Sequence, residues 1–240
     1  MAQLEIDSVS KSFRGLRAVA DASFEVPQGA LVALIGPNGA GKTTIFNMVA
    51  GVYAPDGGRI RFDGARIDGK RPDQICAAGV GRTFQIVKPF AGLSVLDNVI
   101  VGALQNSRGV AQARREALAI LERLGLEGRR DQLASALTLP DRKRLEVARA
   151  LATGPRLLLL DEVMAGLRPT ECDQLVEVFR ELNRAGLTIL LIEHVMRAVM
   201  ALAQQVIVLH HGEIIANSTP QQVVRDPAVL ECYLGEETEV

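Results

Sequence analysis

Residues 36 to 43 read Gly-Pro-Asn-Gly-Ala-Gly-Lys-Thr and fit the pattern G-x-x-x-x-G-K-[ST], which binds phosphate groups. The glycines of this stretch let the chain curl so that successive backbone N–H groups point at one anion. Lys42 adds a cation for the terminal phosphates, and the hydroxyl of Thr43 can ligate Mg²⁺. The residues predicted to bind the phosphates are Gly36, Pro37, Asn38, Gly39, Ala40, Gly41, Lys42, Thr43 and Thr44.

A pair of carboxylates, Asp161 and Glu162, follows the apolar run 156–160. An apolar strand that ends in two carboxylates suits Mg²⁺-nucleotide chemistry, since one can hold the metal shell and the other can polarise the attacking water. By itself the pair also fits a strand that ends in a solvated acidic turn. The phosphate-binding pattern earlier in the chain favours the first interpretation.

Three further side chains are candidates whose meaning stays open on the residues alone. Gln85 follows a predicted strand, where its amide could reach a phosphate or a metal-bound water. His194 follows another strand and could donate to a γ-phosphate, or it could be a structural histidine in a tight turn. Phe13 could stack on a purine ring, which offers a π-face whatever the base, or it could be packed in the core.

The elements that must position these residues can be read from the hydrophobic pattern. Residues 31–35 form an apolar run typical of a buried strand, and the residues after Thr43 suit a helix that Gly51 can end. Residues 187–192 form another buried strand. In open α/β sheets, ligands bind at the carboxyl ends of the parallel strands, and each candidate except Phe13 follows such a strand.

The rest of the pattern predicts two additions to this sheet. Strands at 4–9, 22–26 and 59–62 indicate an antiparallel β flap. Between residues 94 and 153 three helices are expected, and the one over 111–124 is clearly amphipathic. The predicted fold is a doubly wound α/β P-loop core with this flap and an inserted helical subdomain, in one domain over 1–240. Its core should span about 1–85 and 154–240, and the helical subdomain about 86–153.

Composition narrows the function classes. Lys and Arg number 27 against 28 Asp and Glu, for a net charge of −1, so no electrostatic case exists for nucleic acid as a partner. The three cysteines lie far apart, which favours a reduced, cytosolic protein. The first residues do not form a signal peptide, and no apolar run approaches the roughly 18 residues that span a bilayer. Any membrane role is therefore expected to come through a partner.

These stretches together resemble the ATP-binding cassette of ABC transporters, and the resemblance covers essentially the whole chain. The flanking sequence, including Asp161-Glu-Val-Met-Ala-Gly-Leu167, is similar to the ATPase subunits of branched-chain amino acid importers. The resemblance implies ATP and Mg²⁺ as cofactors, with adenine stacked on Phe13. It implies Thr43, Gln85 and Asp161 in the Mg²⁺ shell, water oriented by Glu162, and a γ-phosphate contact from His194.

The resemblance also implies a setting for the chain. Such subunits hydrolyse ATP at the cytoplasmic face of the inner membrane, as peripheral partners of permease subunits. Two cassettes act as a pair, and a periplasmic binding protein delivers the solute. The two cassettes sandwich two ATP molecules, each between the phosphate loop of one subunit and the signature of the other.

One segment departs from the family pattern. Where the signature reads Leu-Ser-Gly-Gly-Gln, this chain has Leu137-Thr-Leu-Pro-Asp141. Pro140 has no N–H to donate, and losing a donor to a charged oxygen costs about 1.5–3 kcal/mol. Asp141 is expected to place a negative charge near the partner's γ-phosphate, or to cap the helix after Thr138. These changes predict an asymmetric heterodimer, with a homodimer as the alternative.

Two other functions stay open at this point. The altered signature also fits a subunit that binds nucleotide without hydrolysing it and acts as an interaction or regulatory partner. The chain could also be a cassette ATPase of translation or DNA repair. Proteins of that kind usually carry two cassettes or long insertions, and this chain has neither.

Overall fold

The computed structural model describes residues 1–84 and 88–234, and its strands form a four-stranded and a six-stranded sheet. The strands are β1 (Ala2–Phe13), β2 (Leu16–Pro27), β3 (Leu31–Ile35), β4 (Gly57–Phe62), β5 (Ala65–Arg66), β6 (Val80–Arg82), β7 (Leu157–Asp161), β8 (Thr188–Ile192), β9 (Gln205–His210) and β10 (Glu213–Ser218).

The helices lie between and after these strands. They are α1 (Lys42–Val49), α2 (Pro72–Ala77), α3 (Val95–Ala103), α4 (Val110–Arg123), α5 (Leu139–Ala152), α6 (Pro169–Arg184), α7 (Met196–Leu202), α8 (Pro220–Val223) and α9 (Pro227–Leu234). Two 3₁₀ turns, Glu127–Arg129 and Ala134–Ala136, connect α4 to α5.

The six-stranded sheet has the order β10-β9-β3-β8-β7-β6, and all of its neighbouring strands are parallel except β9 and β10. Strand β7 shows that this sheet is buried on both faces. Leu158 and Leu160 belong to a core cluster shared with helices α3 to α6, whereas Leu157 and Leu159 belong to a cluster shared with α1 and the other sheet. A parallel sheet covered on both faces confirms the predicted doubly wound α/β core.

The four-stranded sheet, of order β2-β1-β4-β5, is antiparallel and confirms the predicted β flap. The strands predicted at 4–9 and 22–26 leave residues 11–20 as their connection, and this prediction was wrong. Strand β1 runs on to Phe13, and a two-residue turn leads into β2. Arg14 and Gly15 both have positive φ, 48° and 89°, as hairpin turns of this length require. The strand ends escaped notice because their side chains are mostly exposed and lack alternation.

Helices α3, α4 and α5 pack on one another and form the predicted helical subdomain. The spacing of Ser94 and Asp97 predicts a capping box at the start of this subdomain. Ser94 does cap α3, since its Oγ accepts a hydrogen bond from the backbone N of Asp97 at 3.0 Å. Ala117 and Leu121 on α4 are fully buried in the shared core. The predicted limits of the subdomain, 86 and 153, stay a prediction.

The spacing of Thr170 and Asp173 predicts a capping box at the start of α6, and this prediction was wrong. The N-cap is Arg168, two residues before Thr170, and the helix begins at Pro169. The side chain of Glu171 instead accepts a hydrogen bond from the backbone N of Arg168 at 2.8 Å. Residues 219–222 predict a helix capped by Thr219 with Pro220 at its first position, and the structure confirms this cap on α8. The expectation that this is the last helix was wrong, because α9 follows it.

Candidate nucleotide-binding site

The phosphate-binding pattern lies between β3 and α1, where the chain folds into a tight loop. Gly36 has φ 146° and Gly41 has φ 107°, both in the region that side chains disfavour. A Cβ atom on Gly36 would lie 1.9 Å from the carbonyl O of Leu209, and one on Gly41 would lie 2.2 Å from that of Ala18. Neighbouring backbone therefore fills the space at both positions, and only glycine fits them.

Replacing Gly36 with alanine should destabilise the fold by about 3 kcal/mol, because backbone strain adds to a clash with main-chain atoms that cannot move away. Gly39→Ala is the matched control. Gly39 also has positive φ, 79°, but its Cβ would meet no atom within 4 Å, so about 1 kcal/mol is expected. Urea unfolding of the two variants measures the difference. Equal losses would contradict the close approach at Gly36.

Lys42 is the first residue of α1 and is 5% exposed. Its Nζ donates to the carbonyl oxygens of Gly36 and Pro37 at 2.6 and 2.7 Å, so the ammonium group lies inside the curve of the loop. Within the part of the chain that the structure describes, α1 has neither a side-chain cap nor an acidic residue in its first turn. A helix N-terminus that follows a cationic loop in this way suits an anion such as phosphate.

Asp161 ends β7 and is 1% exposed. Its Oδ2 accepts a hydrogen bond from Nη2 of Arg82 at 3.1 Å, and its backbone N donates to Oγ1 of Thr83 at 3.0 Å. Among the described residues its other oxygen, Oδ1, has no hydrogen-bond partner. Burial raises the pKa of this carboxyl group above its usual range, although Arg82 opposes the shift.

An unsatisfied, buried carboxylate oxygen is costly unless a cation or donor completes it. Thr43, whose side chain is exposed, lines the same cavity as Asp161. A hydroxyl and a carboxylate are oxygen ligands of the kind that Mg²⁺ prefers. The donor set of this cavity therefore fits the metal that the sequence predicts.

Glu162 and His194 meet at the carboxyl ends of β7 and β8. The Nε2 atom of His194 lies 2.7 Å from Oε1 of Glu162. The side chain of Glu162 is 12% exposed and that of His194 is 40% exposed, so the pair is half covered and faces outward. Glu162 has φ 49°, a left-handed conformation, and its N–H donates to the carbonyl O of Ile192 at 2.9 Å. The structure thus brings together two residues that lie 32 positions apart in the sequence.

Phe13 and Gln85 are the two remaining candidate residues. Phe13 lies at the tip of the β1–β2 hairpin, 37% exposed, with its ring edge-on to Tyr53 at 5.1 Å between centroids. Lys11 Nζ lies 5.6 Å from the same ring. An exposed ring at a hairpin tip is not core packing, so that alternative is wrong. Gln85 lies outside the described residues, and its predicted role stays a prediction.

Sequence reasoning missed Arg82, whose side chain contacts both α1 and the acidic strand β7. Besides Asp161, it donates from Nη1 to Oδ1 of Asn47 at 2.6 Å, which ties β6 to α1. Its side chain is 8% exposed. The available signal was a single cation in the short strand predicted just before Gln85. Its partners lie 35 and 79 residues away and gave no pattern.

The altered signature precedes and opens α5. Thr138 Oγ1 donates to Oδ2 of Asp141 at 2.7 Å, and Nε of Arg129 lies 3.2 Å from the same oxygen. The side chain of Asp141 is only 10% exposed. The ion pair with Arg129 offsets the charge of Asp141, and the expectation that this charge lies near the partner's γ-phosphate stays a prediction. The hydroxyl of Thr138 is engaged within its own chain.

The phosphate-binding loop between a parallel strand and a helix, with a buried acidic strand beside it, defines this chain as a P-loop nucleotide-binding protein. Its sequence matches the ABC transporter family over residues 19–165. Residues 213–239 match the branched-chain amino acid ATP-binding cassette transporter family. The chain belongs to the ATP-binding cassette family of transporter ATPases, as the resemblance predicted.

Three relatives show which kinds of ABC transporter ATPase this chain is similar to. The high-affinity branched-chain amino acid transport ATP-binding protein LivG of Salmonella typhimurium is 39% identical, over 97% of this chain and 98% of its own. The corresponding protein BraF of Pseudomonas aeruginosa is 37% identical over the same shares. The lipopolysaccharide export system ATP-binding protein LptB of Escherichia coli is 34% identical over 99% of each chain.

Solved structures agree with the fold. The ADP conformation of MJ1267, an ATP-binding cassette of an ABC transporter, superposes with a TM-score of 0.89 at 30% identity, covering 98% of this chain and 99% of that one. A dimeric cassette, MJ0796, is 22% identical and shares the fold with a TM-score of 0.84, over 90% of this chain and 98% of its own. Over residues 1–84 and 88–234, no helix is long and apolar enough to cross a membrane.

Proposed function

We propose that this chain is the subunit that binds and hydrolyses ATP to energise an ABC importer of branched-chain or related amino acids. The observation that carries the proposal is the convergence of a cationic phosphate loop with Asp161 and the Glu162–His194 pair at one edge of the sheet. The solute class is supported by LivG and BraF, whose names give branched-chain amino acid transport.

ATP would bind through residues 36–44, with its phosphates against the loop amides and Lys42. The partly exposed ring of Phe13 at the hairpin tip, 37% exposed, supports adenine stacking. Thr43, Asp161 and Gln85 would hold Mg²⁺, which when bound offsets phosphate charge and orients the phosphate chain.

Glu162 would act as the group that orients and activates the attacking water, because its carboxylate is a potential proton acceptor at the outer end of β7. His194 holds that carboxylate by the 2.7 Å contact between Nε2 and Oε1. It is also exposed enough to reach a γ-phosphate. Glu162 would thus take the proton of the attacking water, and His194 would both hold Glu162 and contact the γ-phosphate.

We place the chain at the cytoplasmic face of the inner membrane, as a peripheral subunit. No described helix could span the bilayer, so attachment would come through permease subunits. A periplasmic solute-binding protein would be an indirect partner. Nothing in the net charge of −1 supports nucleic acid.

Uptake of labelled leucine, isoleucine and valine tests the proposed solute class. Cells that lack this chain should lose uptake, and the unmodified chain should restore it. Glu162→Gln should fail to restore it although the protein is present at the same level. Unchanged uptake of all three amino acids in the deletion strain would contradict the proposed solute class. A labelled amide or another amino acid would then be tested.

The pairing of this chain is proposed to be asymmetric, with a second cassette of unaltered signature. Pro140 lacks an N–H, and the hydroxyl of Thr138 is committed to Asp141 at 2.7 Å. The helix that would face the partner's nucleotide therefore offers fewer donors. The site built on this chain's own Lys42 and Glu162 would then be the productive one.

In the complete importer, we expect Glu162→Gln in this chain to remove most of the ATP turnover. The equivalent change in the partner cassette should cost less, because that site faces the altered signature. The purified chain alone should hydrolyse ATP slowly. Turnover of the two single mutants, measured in the same reconstituted complex, gives the comparison. Equal losses, or brisk hydrolysis by this chain alone, would contradict the asymmetry.

A further inference from the structure

Lys143 connects the helix that follows the altered signature to the main chain of the proposed catalytic glutamate. It lies in the second turn of α5, and it is 5% exposed. Its Nζ donates to the carbonyl O of Glu162 at 3.0 Å. The bond joins α5, which begins just after Thr138, to the end of the acidic strand.

A buried ammonium group needs compensation, and the surroundings of Lys143 supply it. Burial lowers the pKa of Lys143 below its usual value, while the carboxylates of Glu193, Glu162, Asp161 and Glu146 oppose that shift. Glu193 is itself 2% exposed, and it accepts a hydrogen bond from the backbone N of Met164 at 2.7 Å. The Lys143 side chain thus lies buried against the end of β7, where its Nζ has a hydrogen-bond partner.

The main chain of Glu162 is held on both sides of its Cα. Its N–H donates to Ile192 at 2.9 Å, and its C=O accepts from Lys143. Its φ of 49° is a conformation that residues other than glycine rarely adopt without support. Fixing both flanking peptide groups fixes the direction of Cβ, and with it the carboxylate that lies 2.7 Å from His194.

We infer that Lys143 is a positioning residue for Glu162, holding its backbone in the left-handed conformation that directs the carboxylate to His194. This inference rests on the role proposed for Glu162. Because Lys143 belongs to α5, movement of the signature helix toward the partner's nucleotide would be transmitted to the glutamate of this chain's own site. The bond therefore ties the first half of α5 to the main chain of Glu162.

Lys143→Met tests the inference, since methionine keeps most of the side chain's length and removes its donor and charge. Arg144→Met is the matched control: it lies next on the same helix, and its side chain contacts Gln174 on α6 instead. In the full chain, hydrogen exchange of the Glu162 and Met164 amides should become at least about tenfold faster in Lys143→Met, which is the scale of one lost charge-assisted hydrogen bond. Arg144→Met should leave both amides unchanged.

Single-turnover cleavage of ATP gives the functional readout. Lys143→Met should slow cleavage by about tenfold or more while the Kd for Mg-ATP changes by less than about twofold, as expected when a reacting group is misplaced rather than a binding group lost. Lys143→Gln, which keeps a neutral donor, should fall between the unmodified chain and Lys143→Met. If Lys143→Met does not fold, Lys143→Gln against Arg144→Gln makes the same comparison.

Unchanged exchange at Glu162 and Met164, or a loss of affinity as large as the loss of rate, would overturn the inference. Failure of the proposed function is distinguishable from this. If Glu162→Gln left turnover intact, the catalytic role would be wrong, whereas faster exchange at Glu162 in Lys143→Met would still establish the positioning bond. Cleavage that stays fast in Lys143→Met, despite faster exchange, would overturn the positioning role itself.

Discussion

Replacing Glu162 with glutamine is expected to lower ATP turnover in the assembled transporter by about 10²-fold or more, the usual effect of losing a general base. The affinity for Mg-ATP should stay nearly unchanged. Glutamine keeps the shape of the side chain and can still approach His194, which lies 2.7 Å away. It cannot accept a proton from water. Glu162→Gln should therefore lose ATP turnover while it keeps its affinity for Mg-ATP.

Steady-state turnover and a titration with Mg-ATP measure the two quantities. Glu213→Gln is the matched control, because Glu213 makes the same chemical change possible at an exposed position at the start of β10. It should alter neither quantity. An equal loss of binding and turnover in Glu162→Gln would instead make Glu162 a metal ligand or a structural residue.

Lys42→Ala is expected to weaken Mg-ATP binding by at least about tenfold, since a hydrogen bond to a charged group contributes about 1.5–3 kcal/mol. Lys42 lies in the curve of the loop and donates to the carbonyl oxygens of Gly36 and Pro37. The change removes the cation nearest to the predicted phosphates and loosens the loop that presents the amides. Both effects act in the same direction.

Calorimetric titration of the full chain gives the Kd. Lys70→Ala serves as the control, because Lys70 is an exposed lysine in the connection before α2. Its loss should leave the Kd unchanged. An unaltered Kd in Lys42→Ala would mean that the nucleotide binds elsewhere, and the site assignment would then be wrong.

The sequence was informative where the chemistry is local. The phosphate loop and the Asp161–Glu162 pair each occupy a few consecutive residues after a buried apolar strand. The motif predicted the loop, and the loop in turn favoured a metal role for the carboxylate pair. The structure then brought Glu162 to His194 because β7 and β8 are adjacent and parallel. Their neighbouring carboxyl ends were expected from the doubly wound fold.

The sequence was uninformative where the partners are distant and of ordinary type. Arg82 and Lys143 are cations within otherwise unremarked segments, and their contacts with Asp161 and Glu162 depend on how α5, β6 and β7 pack. The ion pair between Arg129 and Asp141 joins a 3₁₀ turn to a helix start across an irregular segment. No periodic pattern marks such a pair, so the sequence did not show that Arg129 offsets the charge of Asp141.

The measurement that tests the central claim most directly is the melting temperature of the unmodified full chain with and without Mg-ATP. At a hundredfold excess over the Kd, bound nucleotide should add about 2.7 kcal/mol to the free energy of unfolding. For a domain of this size that corresponds to a rise of roughly 5 to 10 °C. Lys42→Ala, with a Kd at least about tenfold higher, should lose about half of the rise or more. No rise at millimolar Mg-ATP would contradict the assignment of residues 36–44 as a nucleotide-binding loop.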